Sequence, residues 1–552
     1  MSVLAPDVLT CYSAPPWEAW SPIASSLLTA VPSASLSGTK TSTQPVDEPG
    51  SAKVGYLAPQ WGNLLFDQIL AIPQEINFGY LLAERSDEAA LWNTCRTSRT
   101  LDTVTGTGTS GIALTGADPE TVVKPLQSID YIITTSMSGP SIIDADYVFS
   151  FDVGSATIVL TGTRTLIFPH IPQSGQIETL EWLTDVLESY DGTEEREGAR
   201  YAPRQEFDGL YWGETSHERM RMQAVLLGWH INTFSLPIWG ESRQVGDVAA
   251  DATVIMMDTA NADYRDGGFM AILESYNKHE VLTITEVLAD RVNLTYPVKQ
   301  SYTTPVVAPA RIARILGGTT SEDTPVQASR HRVRFEVIDT KVIASEASTV
   351  QYRGLDTLLA PYYISGEMQA REMTRPIEYI DYDTGLTAID SGMDWSRIAT
   401  KEIGVKVQSR ADAWTFRKWL HRREGRFRPF WSPTFTRDVE LAEPFGSADV
   451  DLYISKIEYA TLLYNNPQFQ NLAFFKTDGT VLLRQIVGYQ MNDDDETITL
   501  DSALGFNGTM DSFDRISFLS LVRLSADRIE IAWQAAGRMS SNFGLMGLDD
   551  ES

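Results

Sequence analysis

The sequence predicts a mainly β protein: an N-terminal immunoglobulin-like β-sandwich, then two duplicated β-barrel or sandwich domains, each with one helix. Three observations carry this. Short β-prone segments separated by turn residues recur about every 8–15 residues. A set of seven landmark segments occurs twice in the same order. The 552 residues are 43% apolar and 21% charged, which suits globular cores and, at roughly 100–200 residues per domain, three to four domains.

Residues 1–55 are rich in Ser, Thr, Pro and Ala, with PSASLSGTKTSTQPVDEPGS at 32–51 the poorest folder. Trp17 and Trp20 interrupt that composition. Free linkers seldom carry two tryptophans, so the segment reads as an extended arm that docks on something. Residues 56–173 hold INFGYLLAER, EAALWNTC, TLDTV, GIALTG, DYIITTSM, YVFSFDV, ATIVLTG and RTLIF. Their spacing predicts the antiparallel sandwich.

Copy one is assigned to 174–345 and copy two to 346–540, with 541–552 a flexible tail. LPIWGESRQ at 236–244 answers RPFWSPTFT at 428–436, each with a Pro-x-Trp. DATVIMM at 251–257 then answers DVDLYI at 449–454, AIL at 271–273 answers AFF at 473–475, and VLTI at 281–284 answers VLLR at 481–484. RVNL at 291–294 answers TITL at 497–500, ARIARIL at 310–316 answers DRISFLSL at 514–521, and RVRFEV at 332–337 answers RIEIAW at 528–533. The segments alternate with period two, as half-buried strands do. Ahead of each Pro-x-Trp lies a helix-compatible stretch, HERMRMQAVLLGWHIN or RADAWTFRKWLHRRE; in the second, Ala413, Phe416 and Leu420 share a face.

Composition excludes several functions. The net charge is −29, so the basic footprint of a nucleic-acid binder is absent. Cys11 and Cys95 cannot build a disulfide framework or a four-cysteine metal site, and His170, His217, His230, His279, His331 and His421 stand singly. No signal-peptide n-region precedes Lys40, and no apolar run approaches the ~20 residues of a membrane span. The chain is expected to fold in the cytoplasm and not to insert into a membrane.

No constellation assembles a catalytic, cofactor or metal site. Gly106, Gly108 and Gly111 spell G-x-G-x-x-G, but a strand pattern follows where a dinucleotide site needs a helix. His217–Glu218 opens like H-E-x-x-H, with Arg221 where the second ligand belongs. NDDDE at 492–496 and NADYRDGG at 261–268 lack the ligand alternation of a calcium loop and read as hairpin turns. Trp239 and Trp431 read as core residues at equivalent strand ends. The basic run RKWLHRREGRFR at 417–428 has two readings. It grips an acidic neighbour, a protein partner more than DNA, or it is a helix C-terminus drawing cations to the macrodipole.

The segment SYDGTEEREGARYAPRQEF at 189–207, with the downstream PIW, resembles tail-tip proteins of long-tailed, siphophage-like bacteriophages and gene-transfer particles. The matching positions are Asp191, Gly192, Glu194 or Glu195, Arg196, Pro203 and Arg204. Copy two has RFRPFWSPTFTRD but DYDTGLTAID in place of the D-G-x-E-x-R stretch. The resemblance covers roughly residues 175–540. It implies a structural virion protein of the distal tail or baseplate, not an enzyme and without cofactors. Such a protein joins tail tube to tip as a ring around the DNA channel, with tube and other tip proteins as partners and DNA only as passing cargo. It implies location in the virion after assembly in the host cytoplasm. Tubes of this class are sixfold and their terminal spikes commonly threefold; two tandem copies per chain favour a trimeric ring with six copies over a hexamer. Part of the excess acid is expected to face the DNA path if the protein lines the channel, where it repels phosphate. The competing reading is a secreted or surface glycan-binding or glycan-hydrolysing β-protein.

Overall fold

The computed structural model describes residues 68–173, 175–324, 328–345, 347–359, 370–375 and 377–549. The N-terminal arm with Trp17 and Trp20 lies outside them. The fold is mainly β and divides into two compact units, one ending at Thr163 and one beginning at Arg164.

The first unit contains β1 (Ile69–Ile72), β2 (Glu75–Leu81), β3 (Arg85–Asn93), β4 (Arg99–Thr107), β5 (Ile112–Thr115), β6 (Val122–Val123), β7 (Ser128–Thr135), β8 (Ile142–Phe151) and β9 (Ser155–Arg164). They form a four-stranded sheet, β1-β3-β7-β5, and a five-stranded sheet, β2-β9-β8-β4-β6. Strict alternation makes the core: in β8, Ile143, Ala145, Tyr147, Phe149 and Phe151 are buried while their neighbours are not. Gly108 and Gly111, at φ 66° and 75°, turn the chain from β4 to β5 in the opposite sheet. No helix follows GTGTSG, so no dinucleotide cradle forms there.

The second unit begins with β10 (Leu166–Ile167), β11 (Gln176–Glu188), β12 (Glu194–Gly213), helix α1 (Ser216–Gly228), β13 (Thr233–Pro237), β14 (Arg243–Gln244), β15 (Val254–Met256), β16 (Phe269–Ser275), β17 (Lys278–Leu288), β18 (Arg291–Leu294), β19 (Val306–Ile315), β20 (Thr320–Asp323) and β21 (Ser329–Val337). RTLIF, expected as the last sandwich strand, instead supplies β10, which pairs in parallel with β13. Two small hairpins, β22 (Gln351–Tyr352) with β23 (Leu355–Asp356) and β25 (Glu378–Ile380) with β26 (Ala388–Asp390), flank β24 (Arg371–Thr374). Then come β27 (Arg397–Val407), helix α2 (Arg410–Arg423), β28 (Phe430–Pro433), β29 (Asp451–Ser455), β30 (Asn471–Lys476), β31 (Val481–Met491), β32 (Asp495–Leu500), β33 (Phe513–Leu524), β34 (Arg528–Ala535) and β35 (Arg538–Gly547). The segment from 541, expected to be a flexible tail, therefore includes most of the last strand.

The two halves of this unit repeat one pairing scheme. In the first, β13 and β16 both pair with β19, β17 joins β16 to β18, β15 pairs with β18, and β21 pairs with β12, β19 and β20. In the second, β28 and β30 pair with β33, β31 joins β30 to β32, β29 pairs with β32, and β35 pairs with β27, β33 and β34. Even the irregularities agree. A bulge lies between Ile284 and Glu286 in β17, and another between Ile486 and Gly488 at the same point of β31. Each copy has a main core, around Phe234 and Phe335 or around Phe430 and Phe543, and a separate core inside its β15–β18 or β29–β32 excursion.

The helices align by their caps. Thr215 receives the Glu218 N–H and Ser409 receives the Asp412 N–H. Counted from these caps, buried Met222 and Leu226 of α1 match buried Phe416 and Leu420 of α2.

Register corrects part of the repeat. Ala271 faces Ala308, and Ala473 faces Ser517, as AIL and AFF suggested. On that ladder Pro237, opposite Ala310, matches Pro433, opposite Leu519. Trp239 therefore corresponds to Phe435, and Trp431 to Ser235: the two Pro-x-Trp segments lie on equivalent strands but four residues out of step. Both tryptophans are buried, at 6% and 0% exposure. RVRFEV forms β21, whose counterpart is β35; RIEIAW forms β34, the counterpart of β20.

Candidate assembly junction between the two copies

The copies are joined by continuous sheet. β11, which opens copy one, pairs antiparallel with β34 of copy two from Gln176–Trp533 to Glu181–Arg528. Its Leu180 and Trp182 enter the main core of copy two, where Trp182 meets the His421 ring edge-on.

A buried polar cluster sits on this seam. Glu178 accepts hydrogen bonds from Arg417 of α2 at 2.8 Å, from the Trp533 indole at 2.7 Å and from Gln205 at 2.7 Å. Arg417 also donates to Glu241, which accepts the Asp263 N–H at 2.6 Å. Asp263 pairs in turn with Arg265 and Arg311. Three carboxylates and three guanidinium groups thus close on one another, which is how buried charges are tolerated. Burial pushes the Glu241 carboxyl up, and Arg417 pulls it back. Burial also opposes the Asp263 carboxylate, yet Arg311 and Arg265 hold it down at about 2. Burial disfavours the charge on Arg417, and Glu178 and Glu241 raise it above its ordinary value nonetheless.

Around the cluster the backbones interlock. Gly537 donates its N–H to the Gly240 carbonyl, and Arg410 donates to the Glu241 and Ser242 carbonyls. A Cβ on Gly240 would stand 2.5 Å from the Trp533 ring, so only glycine fits there. Asp527 receives the Thr184 N–H and hydroxyl at 2.9 Å and the Arg426 N–H at 2.8 Å.

The basic run finds its acidic neighbour inside the chain. Arg417 meets Glu178 and Glu241, Arg422 and Arg423 meet Asp356, Arg426 meets Asp527, and Arg428 meets Glu424. The expected grip on a separate protein or on DNA is thereby replaced for these side chains. The helix-end reading also holds locally, since His421, Arg422 and Arg423 form the last turn before Glu424 and Gly425 in left-handed conformation.

The D-G-x-E-x-R stretch forms the tip of the β11–β12 hairpin. Asp191 accepts the Thr193 N–H and hydroxyl, and Gly192 takes φ 88° beside Met393. Glu194, not Glu195, is the engaged acid: it receives Arg523 of β33 on both oxygens, at 2.7 and 2.8 Å. Tyr190 donates to Asp390 at 2.5 Å, which ties DYDTGLTAID to the same tip. Arg196 lines an open hollow of about 210 Å³ with Glu194, Trp431 and Leu521. Pro203 and Arg204 lie within β12, Arg204 opposite Glu181.

The remaining candidates make local contacts. Glu218 completes the α1 capping box, and Arg221 reaches Asn277. NDDDE turns β31 into β32, and its Glu496 is buried, accepting the Ile457 and Tyr459 N–H groups. NADYRDGG, expected as a hairpin turn, instead links β15, which pairs with β18, to β16, which pairs with β17 and β19, and its Asp263 belongs to the seam cluster. Cys95 is buried as a free thiol. Among the described residues no group of three or more His, Cys, Asp or Glu is placed to hold a metal ion, and no helix is long and apolar enough to cross a membrane.

No known protein family and no curated protein matches the chain. Among solved structures it is similar to the secreted serine protease VesC from Vibrio cholerae, at 9% identity and a TM-score of 0.16. The alignment covers 49% of this chain and 49% of that one, so the chain spans about half the protease's length. A likeness so slight carries no argument about fold or activity.

Proposed function

We propose that the protein is a structural ring component of a long-tailed phage-like tail tip, joining tube to distal tip around the DNA channel, without catalytic activity. The observation that carries this is the β11–β34 seam. One chain holds two copies of a single fold, joined side by side through strand pairing and a buried charge cluster. Side-by-side repetition of one fold is how a closed ring is built from few chains. The side chains that the sequence singled out, Glu194, Asp263 and the basic run, support the reading because they brace that arrangement. The net charge of −29 supports a wall past which DNA slides without adhering. Imaging intact particles with an antibody against this chain tests it: label at the tail tip is expected, and label elsewhere or none overturns the reading.

A further inference from the structure

Each strand of the β11–β34 seam has a counterpart in the other copy. β34 is the hairpin partner of β35, as β20 is of β21. β11 pairs with β12, as β24 pairs with the equivalent β27. Within the chain, β34 and β11 close on each other. Among the described residues, the residue-by-residue registers set β20 against β21 and β24 against β27. All four residues of β20 are exposed, as are Arg371, Glu372 and Met373. Among the described residues one chain therefore carries two half-seams at sheet edges, which proteins seldom leave open.

We propose that β24 of one chain adds to β20 of a second copy, rebuilding between chains the seam that joins the copies within one. This deepens the ring reading and rests on it. Carrying the register across sets Ser321 opposite Arg371 of the second copy, Thr320 opposite Glu372, and Glu322 opposite Ala370, because Ile531 faces Glu178 in the internal seam.

The charges at the equivalent positions are reversed and still complementary. Counting from the helix caps, Arg417 corresponds to Gln223; along the ladders, Glu178 corresponds to Arg371 and Trp533 to Asp323; and four residues past the matched Pro237 and Pro433, Glu241 corresponds to Arg437. Inside the chain two acids of copy one close on a base of copy two. Between chains two bases of copy two, Arg371 and Arg437, would close on Asp323 of copy one. Gln223 already stands 3.4 Å from Asp323, as Arg417 stands beside its own seam. The reversal also prevents mispairing: β24 against β34 would bring Arg371 toward Arg417, and β11 against β20 would bring Glu178 toward Asp323. Opposed like charges of this kind set which edge accepts which.

Paired cysteines at Thr320 and Glu372 test the register without touching the charged pair. In a full-length chain carrying Cys11→Ser and Cys95→Ser, T320C with E372C is expected to oxidise into covalent multimers, whereas T320C with R371C is not. Rings that form without the T320C–E372C cross-link overturn this seam but leave the ring reading standing. A chain that stays monomeric at its highest soluble concentration overturns both. Charge reversal supplies a second measurement: D323R is expected to weaken self-association about tenfold and R371D, added to it, to restore it. Failure of the second change to restore association overturns the proposal.

Discussion

Arg417 on α2 donates to Glu178 on β11 at 2.8 Å, across 239 residues of sequence and between the two copies of the fold. Both side chains are at most 1% exposed. Removing either partner leaves the other's charge buried, and the loss is then much larger than the net worth of the pair.

Arg417→Ala is accordingly expected to cost about 3–5 kcal/mol of stability in the second unit. Chemical denaturation followed by tryptophan fluorescence checks this, since Trp533 reports on the same cluster. A loss below about 1 kcal/mol would show that water reaches the seam and screens it.

Acid should weaken the second unit in two stages. Burial pushes His170 and His421 down to about 3 from an ordinary 6.5. Below about pH 6.5 the unfolded chain binds protons that these folded histidines refuse, so stability falls with pH by about 1.4 kcal/mol per unit for each. His279 and His331, also pushed down by burial, act in the same direction. Burial opposes the charge on Asp263 and Asp356, yet their arginine partners hold both carboxylates at about 2, so their stabilisation is full above about pH 4 and is lost as pH falls toward 2. His421→Gln is expected to flatten the dependence of denaturation midpoint on pH between about 6 and 4; an unchanged slope contradicts the assignment.

Gly192 and Glu194 should differ in kind. Gly192→Ala meets both a φ of 88° and Met393, and is expected to cost about 1–3 kcal/mol by straining the hairpin tip. Glu194→Ala leaves Arg523 buried without its bidentate partner, and a loss of about 3 kcal/mol is expected without backbone strain. Restoration of stability by Arg523→Met in the Glu194→Ala background, and not in Gly192→Ala, separates the two by thermal denaturation.

The two helix caps should be equal if the copies are equivalent. Thr215→Ala and Ser409→Ala are each expected to cost about 1 kcal/mol. Hydrogen exchange at the Glu218 and Asp412 amides reads each cap directly, and protection lost at only one would contradict the match.

Much of this architecture was legible in sequence because it is local. The alternation in β8 and the face formed by Ala413, Phe416 and Leu420 report burial within a few residues of each other. The order of the repeated segments was legible too, but not their register. Pro429 and Pro433 both precede or end β28, and only the ladder partner Leu519 identifies Pro433 as the match of Pro237. The seam was invisible because β11 and β34 lie some 350 residues apart and neither advertises its partner. One signal could have exposed it. Aligning the caps Thr215-x-x-Glu218 and Ser409-x-x-Asp412 sets Gln223 against Arg417, and so marks the basic run as specific to one side of the repeat. The sequence did not distinguish a basic face for a partner from one already satisfied by Asp356, Asp527 and Glu178.

Cryo-electron microscopy of the assembled protein tests the central claim most directly. Three chains around one axis are expected, with six copies of the fold alternating between β11–β34 seams within chains and β20–β24 seams between them. Six chains around the axis with one copy of each facing the channel, or no closed ring at all, would contradict it.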